Sequence, residues 1–235
     1  MVKNKTILIF FGLFLMIFSL NTYAFDKKET FINQLLPYIN AINQEISEKR
    51  QNLVNLQAKQ QKKQLNSRDR LWLAQLAIEY KILKPDFSSP TTWEELYQKV
   101  DVIPPSLAIA QAATESGWGS SRYARLANNY FGQSCFKQGC GMKPIVKHSK
   151  IYYEAAKFNS LQDSVKSYIN NLNTHHAYQE LRHIRYQQRQ KNLAPESLQL
   201  VKGLQRYSER GNAYVHYISG MVKKLQLHQL DQQLS

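Results

Sequence analysis

Cysteine is nearly absent from this chain, since Cys135 and Cys140 are the only two among 235 residues. Two cysteines cannot build a disulfide-rich scaffold, and His148 alone does not complete a zinc site with them. We therefore predict no metal and no cofactor. In an oxidising compartment the pair can close a small loop, which favours a structural disulfide over two free thiols.

Acidic residues are also scarce, because 17 Asp and Glu stand against 31 Lys and Arg, a formal net charge of +14. A chain of this charge is attracted to polyanions. No recognisable nucleic-acid motif, His-Glu metal pattern or phosphate-binding loop is present, which argues against a nucleic-acid partner. The tandem His175-His176 lacks metal-ligand spacing and is interpreted as a pair of surface residues. For an exported protein, the acidic cell envelope is the expected partner.

The N-terminus carries the pattern of a secretory signal peptide. Lys3 and Lys5 precede an apolar run, Ile7–Leu20, and a Thr-Tyr-Ala segment ends at Ala24. We predict a leader over residues 1–24, cleaved after Ala24, and a periplasmic or secreted protein without stable membrane insertion. Because the leader holds two lysines and no acid, its loss lowers the net charge from +14 to +12. A buried core helix and an uncleaved anchor are the alternatives.

Residues 25–66 are predicted to form a helical extension or linker. Their apolar residues recur at a three-four spacing typical of coiled coils, at Ile32, Leu35, Ile39, Ile42, Ile46, Leu53 and Leu56. Only Lys49 interrupts this stripe, and the tract QAKQQKKQLN that follows is polar. The helix could serve as a stalk, form a dimer or pack on the main domain. We favour packing and leave a dimer open.

Residues 67–228 show a compact globular pattern. Ser106 is a good N-cap, and the Ala- and Leu-rich run behind it predicts a helix from Leu107 to Glu115, ended by Gly117. Residues 131–158 hold glycines, both cysteines and a β-branched and aromatic series, which predicts a loop and a short β-hairpin. That series is Ile145, Val146, Ile151, Tyr152 and Tyr153.

The rest of this region is predicted to be helical. A capping-box pattern at Ser160 and Asp163 opens one helix, Pro195 starts another, and Tyr214 to Leu225 mark the last. The fold class is therefore mainly α, a domain with a small β-hairpin lobe preceded by an N-terminal helical extension.

Glu115 is the first candidate for catalysis. It closes an Ala-rich helix, with Trp118 and Tyr123 near it in sequence. A carboxylic acid against aromatic and apolar surface resists ionisation, so its pKa rises. Such an acid can protonate the leaving group of a glycosidic bond near neutral pH. The alternative is an ordinary surface glutamate at a helix end.

A family resemblance supports the catalytic interpretation. The segment AQAATESGWGSSRYARLANNYFG resembles the core motif of the bacterial glucosaminidases, glycoside hydrolase family 73. The segments GQSCFKQGCG, FNSLQDSVKSYINNLNTHHAY and YSERGNAYVHYI resemble its Bax-like branch. The resemblance covers Trp72 to Leu225. It implies a lysozyme-like α+β fold, peptidoglycan glycan strands as substrate and Glu115 as the catalytic acid of an endo-beta-N-acetylglucosaminidase.

The same resemblance suggests a second catalytic carboxylate in the β lobe, and Glu154 is the best candidate. It could activate water across the sugar ring, or be a spectator if the N-acetyl group of the substrate assists the reaction. The alternative is an exposed residue of a hairpin. Asp163 is better explained by its capping box.

Five more residues are site candidates. Tyr207 and Tyr214 lie in a late motif that, by resemblance, faces the catalytic glutamate; we favour a catalytic role for Tyr207 and a core position beside the substrate for Tyr214. Asn129 is expected to bind sugar hydroxyl or acetamido groups through its amide. Phe131 and Trp118 are expected to line the cleft, where aromatic faces can stack on sugars, although Trp118 could be pure packing.

Two other functions remain compatible with the sequence. A lytic transglycosylase would share the fold and the single glutamate, but would form an anhydro sugar. A non-catalytic envelope scaffold would bind glycan without turnover. The late tyrosine motif argues against the first, and the intact Glu115 motif argues against the second.

Overall fold

The computed structural model describes the backbone of residues 3–145 and 152–234 and the side chains of residues 27–145 and 152–232. The predicted leader, residues 1–24, therefore lies outside the residues whose side chains are described. Val146 and Ile151 of the predicted hairpin also lie outside the described residues. In the described part of the chain, no helix is both long enough and apolar enough to cross a membrane.

The described residues form nine α-helices and three short strands, which confirms the mainly α fold with a small β lobe. In chain order these are α1 (Lys3–Gln61), α2 (Ser67–Glu79), α3 (Pro90–Lys99), α4 (Pro105–Ser116), α5 (Arg122–Ala127), β1 (Ser134–Cys135), β2 (Gly141–Met142), β3 (Glu154–Ala156), α6 (Leu161–Thr174), α7 (Gln179–Gln190), α8 (Ser197–Leu200) and α9 (Asn212–Lys224). Short 3₁₀ helices cover His176–Tyr178, Val201–Leu204 and Leu227–Leu234.

The apolar stripe of α1 is buried inside the molecule. Leu35, Ile39 and Leu53 are fully buried and belong to the same hydrophobic core as α4 and α6. Asn43 adds a specific link, because its amide exchanges two hydrogen bonds with the main chain of Ile103, at 2.8 and 3.1 Å. The helix therefore packs on the main domain. Dimerisation through α1 stays a prediction, and it would have to use residues outside this stripe.

Helix α4 is the central helix of the core. All its residues from Pro105 to Ala113 are buried, and their small side chains let neighbouring helices approach closely. The helix begins two residues earlier than predicted, because Pro105 occupies the first helical position, where the missing N–H costs nothing. Ser106 is therefore not the N-cap. It lies in the first turn, and Asp231 accepts hydrogen bonds from its amide and hydroxyl at 2.8 and 2.6 Å.

This contact bears on the predicted domain limits, 67–228. Asp231 lies beyond residue 228, and the buried stripe of α1 lies before residue 67, yet both pack on α4 or the core around it. Packing in the described residues does not separate the extension from the domain.

The β lobe is a three-stranded antiparallel sheet rather than a hairpin. Its order is β1-β3-β2, so β3 is central, and Cys135 pairs with Glu154 while Gly141 pairs with Ala156. Of the series predicted as strand, the described residues Ile145, Tyr152 and Tyr153 precede β3 instead of forming it. Gly141 is required by close packing, because a Cβ there would lie 1.9 Å from the carbonyl oxygen of Ala155.

A buried ionic cluster joins α1, α3 and α7. Asp101 is fully buried just beyond the end of α3 and accepts two hydrogen bonds from Arg189, at 2.9 and 3.1 Å. Arg50 and Arg185 approach the same carboxylate to 3.6 and 3.9 Å. Both arginines also donate to main-chain carbonyls at this helix end, where the helix dipole favours cations.

Candidate active site

Glu115 lies in the last turn of α4 at the edge of a cavity of about 360 Å³. The helix ends directly after it, because Gly117 adopts a left-handed conformation that glycine takes without strain. We call this space the Glu115 cavity; its described lining is Glu115, Tyr123, Asn129, Gly132, Gln133, Ser134, Pro144, Ile145, Tyr153 and Ala155. It lies between α4, α5 and the β lobe.

Gly132 brings the main chain against the carboxylate. Its φ is +64°, and a Cβ at this position would lie 3.1 Å from Oε2 of Glu115. Glycine takes that backbone conformation without strain, and a Cβ here would press on the carboxylate. The residue therefore shapes one wall of the Glu115 cavity.

A buried chain of hydrogen bonds leads to Glu115. The Tyr168 hydroxyl donates to Oε1 of Gln111 at 2.7 Å, and Nε2 of Gln111 donates to the Tyr214 oxygen at 3.1 Å. Tyr214 is in turn hydrogen-bonded to Glu115. Since its oxygen already accepts from Gln111, Tyr214 directs its single proton to the carboxylate. We call Tyr168, Gln111 and Tyr214 the tyrosine relay.

The pKa of Glu115 is raised, and the structure gives the balance of causes. Burial raises the pKa, while the hydrogen bond from Tyr214 and the positive charge of Arg210 lower it. The direction agrees with the sequence-based expectation, but Trp118 is not among the residues that line the cavity. Burial also raises the pKa of Tyr214, so this phenol stays protonated as a donor.

The two tyrosines of the late motif differ in their contacts, and their catalytic roles stay predictions. Tyr207 donates its hydroxyl proton to the carbonyl oxygen of Phe131 at 2.9 Å, whereas Tyr214 contacts Glu115. The rings of Tyr207 and Tyr214 stack, with centroids 5.5 Å apart. Tyr207 therefore supports Tyr214 and the main chain near Gly132, and the residue placed on the acid is Tyr214.

Asn129 lines the Glu115 cavity, but its amide is already occupied. Nδ2 donates to the carbonyls of Gln133 and Ala156 at 2.7 and 3.0 Å, and Oδ1 accepts from the Gln133 amide at 2.9 Å. The side chain is buried, so no donor remains for a sugar. Asn129 instead fixes the loop that carries Gly132 onto β3.

Neither aromatic candidate for the cleft lines the Glu115 cavity. Phe131 is 1% exposed and stacks on Tyr168 with ring centroids 3.9 Å apart, so it belongs to the core beneath the site. Trp118 points toward α1, where it contacts Phe31 edge-on at 5.4 Å. The aromatic residues that do line the cavity are Tyr123 and Tyr153. Tyr123 was expected near Glu115, but neither residue was predicted as a sugar contact.

Glu154 is directed away from the Glu115 cavity and holds a loop. Its carboxylate accepts from the amides of Gly139 and Gly141, at 3.1 and 2.7 Å, and from the Tyr152 hydroxyl. These bonds, led by the one from Tyr152, lower the pKa of Glu154 and keep it ionised. The structure does not bring it together with Glu115, and its role as a second catalytic group stays a prediction without geometric support.

The loop that Glu154 holds is closed by a disulfide between Cys135 and Cys140, the pairing expected from the sequence. The two sulfurs and the Glu154 carboxylate lie within 4.8 Å of one another. Disulfide sulfurs are not thiolates, so this group does not offer the ligands of a metal site.

Gln111 and Gly132 are two of the site residues that were not predicted from the sequence. Gln111 lies four residues before Glu115, one helical turn away on the same face, and that spacing could have identified it. Gly132 ends the quoted motif, but no local pattern shows that it touches Glu115, because 17 positions separate them.

Comparisons with known proteins place the chain among known families. A family model described as mannosyl-glycoprotein endo-beta-N-acetylglucosaminidase matches residues 90–227, which include the Glu115 cavity and the tyrosine relay. The chain is 34% identical over 195 residues to protein bax of Escherichia coli strain K12, covering 83% of this chain and 68% of that protein. It is also similar to the catalytic domain of the autolysin Auto from Listeria monocytogenes, with 19% identity, a TM-score of 0.47, and coverage of 87% of this chain and 88% of that one.

Proposed function

The chain belongs to the glucosaminidase family, and on that basis we propose that it is a glycoside hydrolase that cuts the glycan backbone of peptidoglycan. The observation that carries this proposal is Glu115, a half-buried acid with a raised pKa at the edge of an open cavity and bonded to Tyr214. The net charge of +14 suits an acidic polymer.

Glu115 is proposed to act as the general acid. In its protonated form it donates a proton to the oxygen of the leaving sugar as the glycosidic bond breaks. The carboxylate then left behind is stabilised by the hydrogen bond from Tyr214. Burial keeps the acid protonated before the reaction, and the relay stabilises the product of proton transfer.

The described lining of the Glu115 cavity offers no second carboxylate, which favours a mechanism in which the N-acetyl group of the substrate takes part. Glu115 is the only acidic residue among the described residues that line the cavity, and residues 146–151 contain no Asp or Glu. We infer that the carbonyl oxygen of the N-acetyl group attacks the anomeric carbon while Glu115 protonates the leaving oxygen. Water then opens the cyclic intermediate, and Glu115 takes back a proton from that water.

An envelope location completes the proposal. The leader pattern over residues 1–24, the disulfide and the glycan substrate all favour a protein that acts outside the cytoplasm, in the periplasm or beyond it.

The test compares digestion of purified peptidoglycan by the wild type and by Glu115→Gln, with mass spectrometry of the soluble fragments. We expect new N-acetylglucosamine reducing ends, released roughly 100- to 10,000-fold more slowly by the variant. Glu209→Gln is the matched control, because Glu209 is an exposed residue of the late motif outside the cavity.

Each other outcome contradicts a defined part of the proposal. Anhydro sugar ends would identify a lytic transglycosylase. Binding to the wall without released fragments in the wild type would identify a non-catalytic scaffold. Equal turnover by Glu115→Gln and the wild type would remove Glu115 from the role of acid.

A further inference from the structure

A second cavity, of about 290 Å³, lies between α1 and the turn that follows α4. Its described lining combines aromatic, amide, hydroxyl and cationic groups, contributed by Lys27, Thr30, Phe31, Gln34, Trp118, Gly119 and Tyr130. We call it the α1 cavity. None of these residues lines the Glu115 cavity.

The floor of the α1 cavity is aromatic. The ring of Phe31 contacts Trp118 edge-on at 5.4 Å and Tyr130 at 6.1 Å. Gly119 has a φ of +75°, and a Cβ at this position would lie 3.4 Å from the Phe31 ring, so the turn passes close to α1. Phe31 and Tyr130 are buried, and Trp118 is the partly exposed ring of the three. The exposed part of Trp118 offers apolar surface to a sugar ring.

The rim of the α1 cavity is cationic. Lys27 lines it, and Nζ of Lys28 lies 5.6 Å from the centroid of the Trp118 ring. No acidic side chain is among its described lining residues, since Glu29 is exposed and does not line it. A carboxylate bound in this cavity would be attracted to Lys27 and Lys28. Gln34 and Thr30 add groups that can hydrogen-bond hydroxyl and acetamido substituents.

We propose that the α1 cavity is a second sugar site, and that it binds an amino sugar that carries a carboxylate. In peptidoglycan this is N-acetylmuramic acid of strands whose lactyl group is free of peptide. The inference rests on the proposed function for its ligand class. Trp118 follows Glu115 by three residues and Tyr130 precedes Gly132 by two, so both cavities border one segment of chain. This placement suits a polymer that extends beyond the bond being cut.

The test uses two disaccharides that differ by the lactyl group. N-acetylglucosaminyl-N-acetylmuramic acid carries the carboxylate, and N,N′-diacetylchitobiose is neutral. Each is titrated into the Glu115→Gln protein while ¹H–¹⁵N spectra follow the indole signals of its three tryptophans, Trp72, Trp93 and Trp118. Trp118→Phe assigns the signal. We expect the acidic disaccharide to shift Trp118 at a lower concentration than the neutral one.

Two double variants test the charge. The double variant Lys27→Ala with Lys28→Ala should bind the acidic disaccharide with about tenfold lower affinity, because charge-assisted contacts are lost. Lys223→Ala with Lys224→Ala removes the same charge from exposed positions at the end of α9 and should leave its affinity unchanged. Unchanged signals of Trp72 and Trp93 will show that each variant is folded.

The outcomes separate this inference from the proposed function. Three outcomes would overturn the second site. They are equal affinity for both disaccharides, equal loss of affinity in the two double variants, and no shift of the Trp118 indole signal. A shift of Trp118 with no hydrolysis by the wild type would keep the site and reject the hydrolase.

Discussion

At the residue scale, the site depends on two opposite influences on one carboxyl group. Burial of Glu115 favours its neutral form, and the hydrogen bond from Tyr214 favours its ionised form. Gln111 donates a hydrogen bond to the Tyr214 oxygen and so orients the Tyr214 hydroxyl. No residue of the tyrosine relay is among the described residues that line the Glu115 cavity. Burial has the largest effect on the pKa of Glu115, and the hydrogen bond from Tyr214 and the charge of Arg210 oppose it.

Tyr214→Phe should therefore alter the pH profile of the reaction. Losing the bond to Glu115 raises the pKa of Glu115 further, so the alkaline limb of activity moves to higher pH. The rate should fall roughly 10- to 100-fold, the value of one hydrogen bond to a charged group. Initial rates of peptidoglycan digestion across pH measure both effects.

Tyr207→Phe is the matched control for this prediction. It removes a hydroxyl that bonds to Phe131 and not to Glu115, so the alkaline limb should stay in place. An alkaline limb that moves in Tyr207→Phe but not in Tyr214→Phe would restore the role first expected for Tyr207.

Glu115→Gln should also change stability in a pH-dependent way. The pKa of Glu115 in the folded state is raised above 4.5, so its contribution to stability is full below that value and lost as pH rises through the folded pKa. Glutamine does not ionise. The variant should gain in free energy of unfolding relative to the wild type from acid to neutral pH, as urea titrations at several pH values would show. A constant difference across pH would argue against the raised pKa.

At the scale of elements, α4 is fixed at both ends. Gly117 terminates it in a left-handed conformation beside Glu115, and Asp231 binds its first turn through Ser106. The second contact joins residues 125 positions apart, so the 3₁₀ helix Leu227–Leu234 anchors the helix that carries the acid.

Asp231→Ala should destabilise the protein by about 1 kcal/mol, the usual cost of removing a helix N-terminal cap. Turnover well below the melting temperature should change little, because Glu115 lies at the opposite end of α4. Thermal unfolding and peptidoglycan digestion together check this. Asp231→Asn keeps an acceptor oxygen and should retain most of the stability; equal losses in both variants would reject capping as the cause.

At the scale of the whole molecule, the surplus of positive charge extends into the interior. Three arginines surround the buried Asp101, and burial lowers the pKa of Arg185 to about 10 despite the carboxylate. The attraction of Arg185, Arg189 and Arg50 holds the pKa of Asp101 below its usual value against the opposing effect of burial. The Asp101 carboxylate is the shared partner of arginines from α1 and α7 at the end of α3.

Asp101→Asn should cost about 3–5 kcal/mol, because it leaves buried arginines without their counter-charge. In the wild type, the contribution of Asp101 is present above its unfolded pKa and is lost as pH falls through its lower folded pKa. Chemical denaturation between acid and neutral pH measures both. Asp86→Asn, an exposed aspartate, should have little effect, and a loss as large as that of Asp101→Asn would contradict the cluster argument.

The sequence by itself determined the features that depend on neighbouring residues. The three-four spacing predicts the buried stripe of α1, and the Ala-rich run ending in Gly117 predicts α4 with Glu115 in its last turn. The five-residue spacing of Cys135 and Cys140 suffices for the small disulfide loop. These outcomes follow from helical periodicity, capping and short loops, which act over a few residues.

Only the tertiary structure decided which candidate touches Glu115. Tyr207 and Tyr214 share one motif, but the approach of α9 to α4 gives the contact to Tyr214. Asn129 and Glu154 look available in sequence. In the structure Asn129 bonds to main-chain groups, and Glu154 bonds to two main-chain amides and the Tyr152 hydroxyl. Hydrogen bonds of this kind form between segments distant along the chain, and no local pattern records them, because they arise when buried polar groups find partners during packing.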